Sequence, residues 1–149
     1  MSIKRFTPDN ITELKHNEVF VFGSNIQGEH VGGAAAFANK KFGAQMGCGF
    51  GFCDLACKTY AIPTCIRIWE GTLQPFRITK SFDNANQIKP FVDAFISDAK
   101  HYKDYTFYVT KIGCGIAGFK INEIAELFRP CLEMENVVLP KEFVVCLTK

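Results

Sequence analysis

Short apolar runs alternate along the chain with stretches of helical periodicity. Val19-Phe-Val-Phe22 is apolar at every position, as a strand buried on both faces would be. Beyond a glycine-rich loop from Gly23 to Gly33, the spacing predicts a helix over 34–42, with Ala34, Phe37, Ala38 and Phe42 on one face. Thr59-Tyr-Ala-Ile62, before Pro63, predicts a second strand. Between Asn86 and Lys100 the apolar residues Ile88, Phe91, Val92, Phe95, Ile96 and Ala99 follow the steps of a helix buried along one stripe. Pro90 fits that helix only in its first turn. Tyr105 to Lys111, rich in Thr, Phe, Tyr and Val, predicts a third strand. The loop Gly113 to Phe119 then leads into a helix from Ile121 to Arg129, stopped by Pro130. Val137-Val-Leu139 and Phe143-Val-Val-Cys-Leu147 are two further strand candidates, while residues 71–82 carry no readable pattern. Strands alternating with helices predict an α/β protein: one three-layer α/β/α domain over residues 1–149, with a mixed, mostly parallel sheet.

Composition narrows the class. At 149 residues, 48% hydrophobic and 21% charged, the chain is long and apolar enough for one packed core without staples. Net charge is +2 with no run of Lys and Arg, too weak a balance to point to duplex nucleic acid. The longest uncharged stretch, Phe42 to Cys53, contains four glycines, so no membrane span is expected. The N-terminal residues lack the apolar segment of a secretory signal, and the expected compartment is the cytoplasm. Seven cysteines with no Cys-x-x-Cys pair fit reduced thiols packed as small hydrophobes better than a zinc site. No metal and no cofactor is called for.

Chemistry concentrates where glycine does. Eight of the 12 glycines fall between Gly23 and Gly51 and three between Gly113 and Gly118. The second loop, Gly113-Cys-Gly-Ile-Ala-Gly-Phe119, satisfies G-x-G-x-x-G between a strand and a helix, and such a loop presents bare N–H groups to a pyrophosphate. Too little chain follows it for a Rossmann half, so phosphate binding survives where the dinucleotide topology does not. In the first loop, Asn25 follows the strand and Gly32-Gly33 opens the helix. An Asn there offers a donor and an acceptor to a sugar hydroxyl, and a glycine pair at a helix start lets a diphosphate approach free N–H groups. The candidate binding residues are Gly23, Ser24 and Asn25, then Gly32, Gly33 and Ala34. In the second loop they are Gly113, Cys114, Gly115, Ile116, Ala117, Gly118 and Phe119.

These segments carry a resemblance. The strand, Asn-bearing loop and Gly-Gly helix start resemble the first signature of macrodomains, which bind ADP-ribose. Residues 107–128 are similar to the second, with Gly115, Gly118 and Phe119 in register. The likeness is greatest to bacterial and phage-encoded macrodomain-like proteins, through Phe22 to Ala36, Tyr60-Ala-Ile-Pro-Thr64 and Ile112 to Gly118. Gly113 and Cys114 depart from the pattern, standing where macrodomains commonly carry Ser and Thr. The resemblance implies a macrodomain-like domain that takes ADP-ribose or a related nucleotide diphosphate sugar, free or attached to a macromolecule. It also implies that Asn25 and Phe119 address the distal ribose. Whether an ADP-ribosyl bond is hydrolysed stays open; Asn25 and His30 are the catalytic candidates, with His30 as base.

Other readings remain. Cys114 or His30 would serve a nucleotide-processing hydrolase or transferase, and a non-catalytic interaction module would need neither. Glu29 and Glu123 bear on charge: Glu29 reads as surface charge, while Glu123 and Glu126 would repel a phosphate at the start of their helix, leaving it to the loop amides. Trp69 reads as a partly buried aromatic.

Overall fold

The computed structural model describes residues 5–115 and 117–149. Ile116, one of the second-loop candidates, lies outside them. The described chain runs β1 (Glu18–Asn25), α1 (Gly33–Phe42), β2 (Gly51–Phe52), β3 (Thr59–Glu70), β4 (Phe76–Ser81), α2 (Lys89–His101), β5 (Thr106–Val109), α3 (Ile121–Leu127), β6 (Val137–Val138) and α4 (Lys141–Leu147). Short 3-10 turns precede α2 and follow α3. The sheet has the order β2-β3-β1-β5-β6, with β4 also paired to β3. Pairing is parallel for β1 with β3, β1 with β5 and β5 with β6, and antiparallel for β2 and β4 against β3. The protein therefore has an α/β fold on a mixed, mostly parallel sheet.

Alternation along β1 divides the interior. Val19 and Val21 pack with Ile88, Val92 and Phe95 around α2, and with Ile124, Phe128 and Phe143 near α3 and α4. Phe20 and Phe22 join a separate cluster with Ala35 and Ala38 of α1. A strand apolar at every position is what such two-sided burial requires. α2 buries Val92, Phe95, Ile96 and Ala99, the stripe visible in the sequence, with Pro90 in its first turn.

Three expectations need correction. The second strand does not end before Pro63 but runs through it to Glu70. Proline lacks an N–H, and the ladder to β1 is already irregular beside it, where the register shifts between Ser24 and Asn25. Phe143 to Leu147 is not a strand; it belongs to α4. Its buried residues Phe143, Val144 and Leu147 follow helical spacing, and the Phe143 and Phe128 ring centroids lie 5.8 Å apart. Packing on α3 overrides the β preference of Val144 and Val145. Finally, Cys48 and Cys53 are not free thiols: the turn between them brings their Cα atoms to 5.5 Å and they form a disulfide. Cys57, Cys65, Cys114, Cys131 and Cys146 are free. The unreadable segment 71–82 closes a hairpin, β3 to β4, that extends beyond the end of β1. No described helix is long and apolar enough to cross a membrane.

Candidate functional site

The chain leaves β1 towards β3 and leaves β5 towards β6, on opposite sides of β1 and β5. Two neighbouring parallel strands whose connections diverge leave a crevice beyond their carboxyl ends, the place where open α/β sheets hold ligands. A cavity of about 210 Å³ occupies that crevice. The two glycine loops meet there so closely that a Cβ on Gly23 would stand 3.3 Å from the Gly113 amide nitrogen.

The first loop is held by its own side chains. Asn25, nearly buried, accepts from the Glu29 N–H at 2.8 Å and donates to the Glu29 carbonyl at 2.7 Å. Ser24 donates to the Gly49 carbonyl at 2.6 Å. The turn ends at Gly32 in extended backbone, and Gly33 enters α1 at φ +58°, a left-handed conformation that costs any residue with a Cβ. The first helical bond to a carbonyl runs from Ala36 to Gly32. No side chain caps the amides before it, the first turn has no acidic residue, and Lys40 and Lys41 occupy the last turn. The positive end of the helix dipole therefore faces the cavity lined by Gly32, Gly33 and Ala34, and the Glu29 carboxylate that also lines this cavity is paired with Arg77.

The second loop contributes Gly113, Gly115 and Ala117 to the cavity. Gly113 sits at φ +77° against Ile124, Phe119 and Thr64, whereas a Cβ on Gly115 would meet no atom within 4 Å. At the start of α3 the Lys120 N–H already donates to the Glu123 carboxylate at 3.2 Å, which puts a negative charge there. An anion at this loop would have to use the loop amides.

No family model, curated protein or solved structure matches the chain.

The structure gathers nine of the sequence-derived candidates on the cavity: Gly23, Ser24 and Asn25, then Gly32, Gly33 and Ala34, then Gly113, Gly115 and Ala117. Cys114, Gly118, Phe119 and His30 do not line it. Phe119 packs beneath Gly113 against the core. The Cys114 thiol is pushed up to about 11 by burial, away from the thiolate a nucleophile needs. His30 is buried against the edge of Phe22, with Nε2 2.9 Å from the Gln45 carbonyl and Nδ1 without a partner among the described residues. Nε2 is therefore the protonated nitrogen, and burial holds the imidazole below its ordinary pKa.

The hairpin supplies a wall that sequence reasoning missed. Thr64 and Cys65 of β3 and Thr79 of β4 line the cavity, as do Thr110 and Lys111 after β5. Thr64 was visible only as the end of the Tyr-Ala-Ile-Pro-Thr motif, and Thr79 lay in the segment without a pattern. Lys111 pairs with Glu142 of α4 at 3.0 Å, which raises its pKa. Glu29 is not simple surface charge: it lines the cavity, pairs with Arg77 and lies 3.7 Å from Arg67 Nε. Gln27 grips the backbone of Arg67, donating to its carbonyl at 2.6 Å and accepting from its N–H at 2.9 Å. Trp69 is not partly buried but 65% exposed.

Proposed function

We propose that the protein binds ADP-ribose or a related nucleotide diphosphate sugar, with the diphosphate between the two glycine loops. The observation that carries this reading is the uncapped, acid-free start of α1 opening on a cavity at the divergence of β1 and β5. Backbone N–H groups there have no carbonyl partner in the helix, and an anion would supply one while meeting the helix dipole. Gly33 and Gly115 keep the backbone bare where the phosphates would approach. Lys111 also lines the cavity, its ammonium paired with Glu142. The resemblance of these loops to macrodomain signatures supports the ADP-ribose class over other anions.

The site is read as a binding site. Asn25 lines the cavity and is available to a sugar hydroxyl through its second N–H. Of the residues considered for bond cleavage, Asn25 lines the cavity, whereas Cys114 and His30 do not. A thermal-shift series tests the class. ADP-ribose at a hundredfold excess over its Kd should stabilise by about 2.7 kcal/mol, raising Tm by about 5–10 °C. NAD, ADP and nucleotide sugars should follow in the order set by their diphosphate and ribose. A flat response to the whole series would refute the reading.

A further inference from the structure

The cavity between the loops is small. At about 210 Å³ it falls below the ~300–1,000 Å³ of ordinary ligand pockets. A second cavity of about 260 Å³ adjoins it, lined by residues 8–11 with Phe20 and Phe37, and the two share Gly33, Ala34 and Thr110. Asn25, Cys65 and Thr79 line the first cavity and not the second. The two cavities thus meet at the start of α1, while Asn25 and the β3–β4 hairpin bound the first one away from that junction. A ligand whose sugar meets Asn25 sends its nucleoside the other way, into the second cavity, and the hairpin faces the sugar. Phe119, expected beside that sugar, packs beneath Gly113 against the core. The hairpin supplies the wall in its place.

Asn25 pairs with Cys65 at the base of this hairpin. Cys65 stands opposite Ser81, and Arg67 opposite Thr79. Directly opposed residues, and residues two apart on a strand, share a face of the sheet, so Cys65 and Thr79 both line the cavity. Each glycine loop fastens the hairpin where it borders the site. Gln27 of the first loop bonds both the N–H and the carbonyl of Arg67, and Ser81 donates to the Ala117 carbonyl of the second. Arg67 in turn donates to the Thr79 hydroxyl at 2.8 Å, which leaves that hydroxyl's proton free to donate. A hydroxyl that accepts from a guanidinium is polarised by it and becomes the better donor.

We propose that the Thr79 hydroxyl donates to the sugar beyond the diphosphate, so that the hairpin distinguishes a nucleotide diphosphate sugar from a bare nucleoside diphosphate. The proposal rests on the nucleotide diphosphate sugar reading of the cleft. Asn25 meets the sugar from the end of β1 and Thr79 meets it from β4. A site built to hydrogen-bond a substrate hydroxyl disfavours the analogue that lacks it, because the site's own polar groups lose their partners.

The test is calorimetry of the whole protein with ADP-ribose and with ADP, on the parent, Thr79→Val and Thr79→Ser. Valine keeps the shape of threonine and suits a strand, so Thr79→Val should melt as the parent does. It should weaken ADP-ribose by about fivefold to thirtyfold, the effect of one hydrogen bond lost with its partner left unpaired. ADP, which lacks the distal sugar, should bind Thr79→Val as it binds the parent. Thr79→Ser, which keeps the hydroxyl, should recover most of the loss. Parental ADP-ribose affinity in Thr79→Val would overturn the role of Thr79 while leaving the cleft intact. An equal loss for ADP and ADP-ribose would overturn it too, since the hydroxyl would then serve the hairpin or the diphosphate. Absence of heat with either ligand in the parent would overturn the cleft reading and this proposal with it.

Discussion

Asn25 closes a five-residue turn with both ends of its amide, a role its place after a strand also permits in many loops. Removing two such bonds should cost about 1–2 kcal/mol of stability. Asn25→Ala should therefore melt lower, and the displaced turn should weaken ADP-ribose and ADP alike. A loss confined to ADP-ribose, at unchanged stability, would instead make the amide a ribose contact alone. His30 belongs to the same scale. Its folded pKa lies below the ordinary 6.5 because burial disfavours the charged ring. The unfolded chain then takes up the proton first, so stability is full above the ordinary value and falls as pH drops through and below it. His30→Gln, which keeps a donor for the Gln45 carbonyl, should lose less Tm than the parent between about pH 7.5 and about pH 5. Equal losses in the two proteins would show that His30 does not carry this dependence. The sequence marked His30 as a candidate base because a loop histidine has the right intrinsic pKa. Its burial against Phe22 and its bond to the Gln45 carbonyl arise from how the loop folds back, which no local pattern records.

At the scale of elements, the loop after β5 separates the needs of folding from those of binding. Gly113 has a positive φ and close neighbours on three sides, whereas Gly115 lines the cavity and has open space where a Cβ would stand. Gly115→Val should melt like the parent and bind ADP-ribose at least tenfold more weakly, since each charge-assisted bond displaced is worth roughly 1.5–3 kcal/mol. Cys114→Ala, which keeps the loop amides, should bind as the parent does. A folded Gly115→Val protein with parental affinity would reduce this loop to a turn. Elements that bury one stripe, such as α2, were legible because periodicity alone records them. α4 was not: Phe143 to Leu147 has strand-like composition, and its helix is selected by packing on α3. The β3–β4 hairpin was hidden for a different reason. It projects past β1 with Arg67, Arg77, Thr79 and Lys80 on partly or wholly exposed strands, so no apolar alternation remained to reveal it.

For the whole molecule, the order β3-β1-β5-β6 matters more than any single residue. It makes the connections after β1 and β5 part company, and so brings together loops that are some 80–90 residues apart in the chain. The two glycine-rich segments, each after an apolar run, announced that meeting in the sequence. The third wall, from Thr64 to Thr79, required the long-range pairing of β3 with β4. The Glu29–Arg67–Arg77 group likewise exists only once that hairpin stands beside the first loop. Titration calorimetry of the intact protein with ADP-ribose, adenosine and ribose 5-phosphate tests the central claim, a diphosphate anchored between the two loops. ADP-ribose should bind more tightly than either fragment, because only it carries the diphosphate. Adenosine binding as tightly as ADP-ribose would contradict the claim.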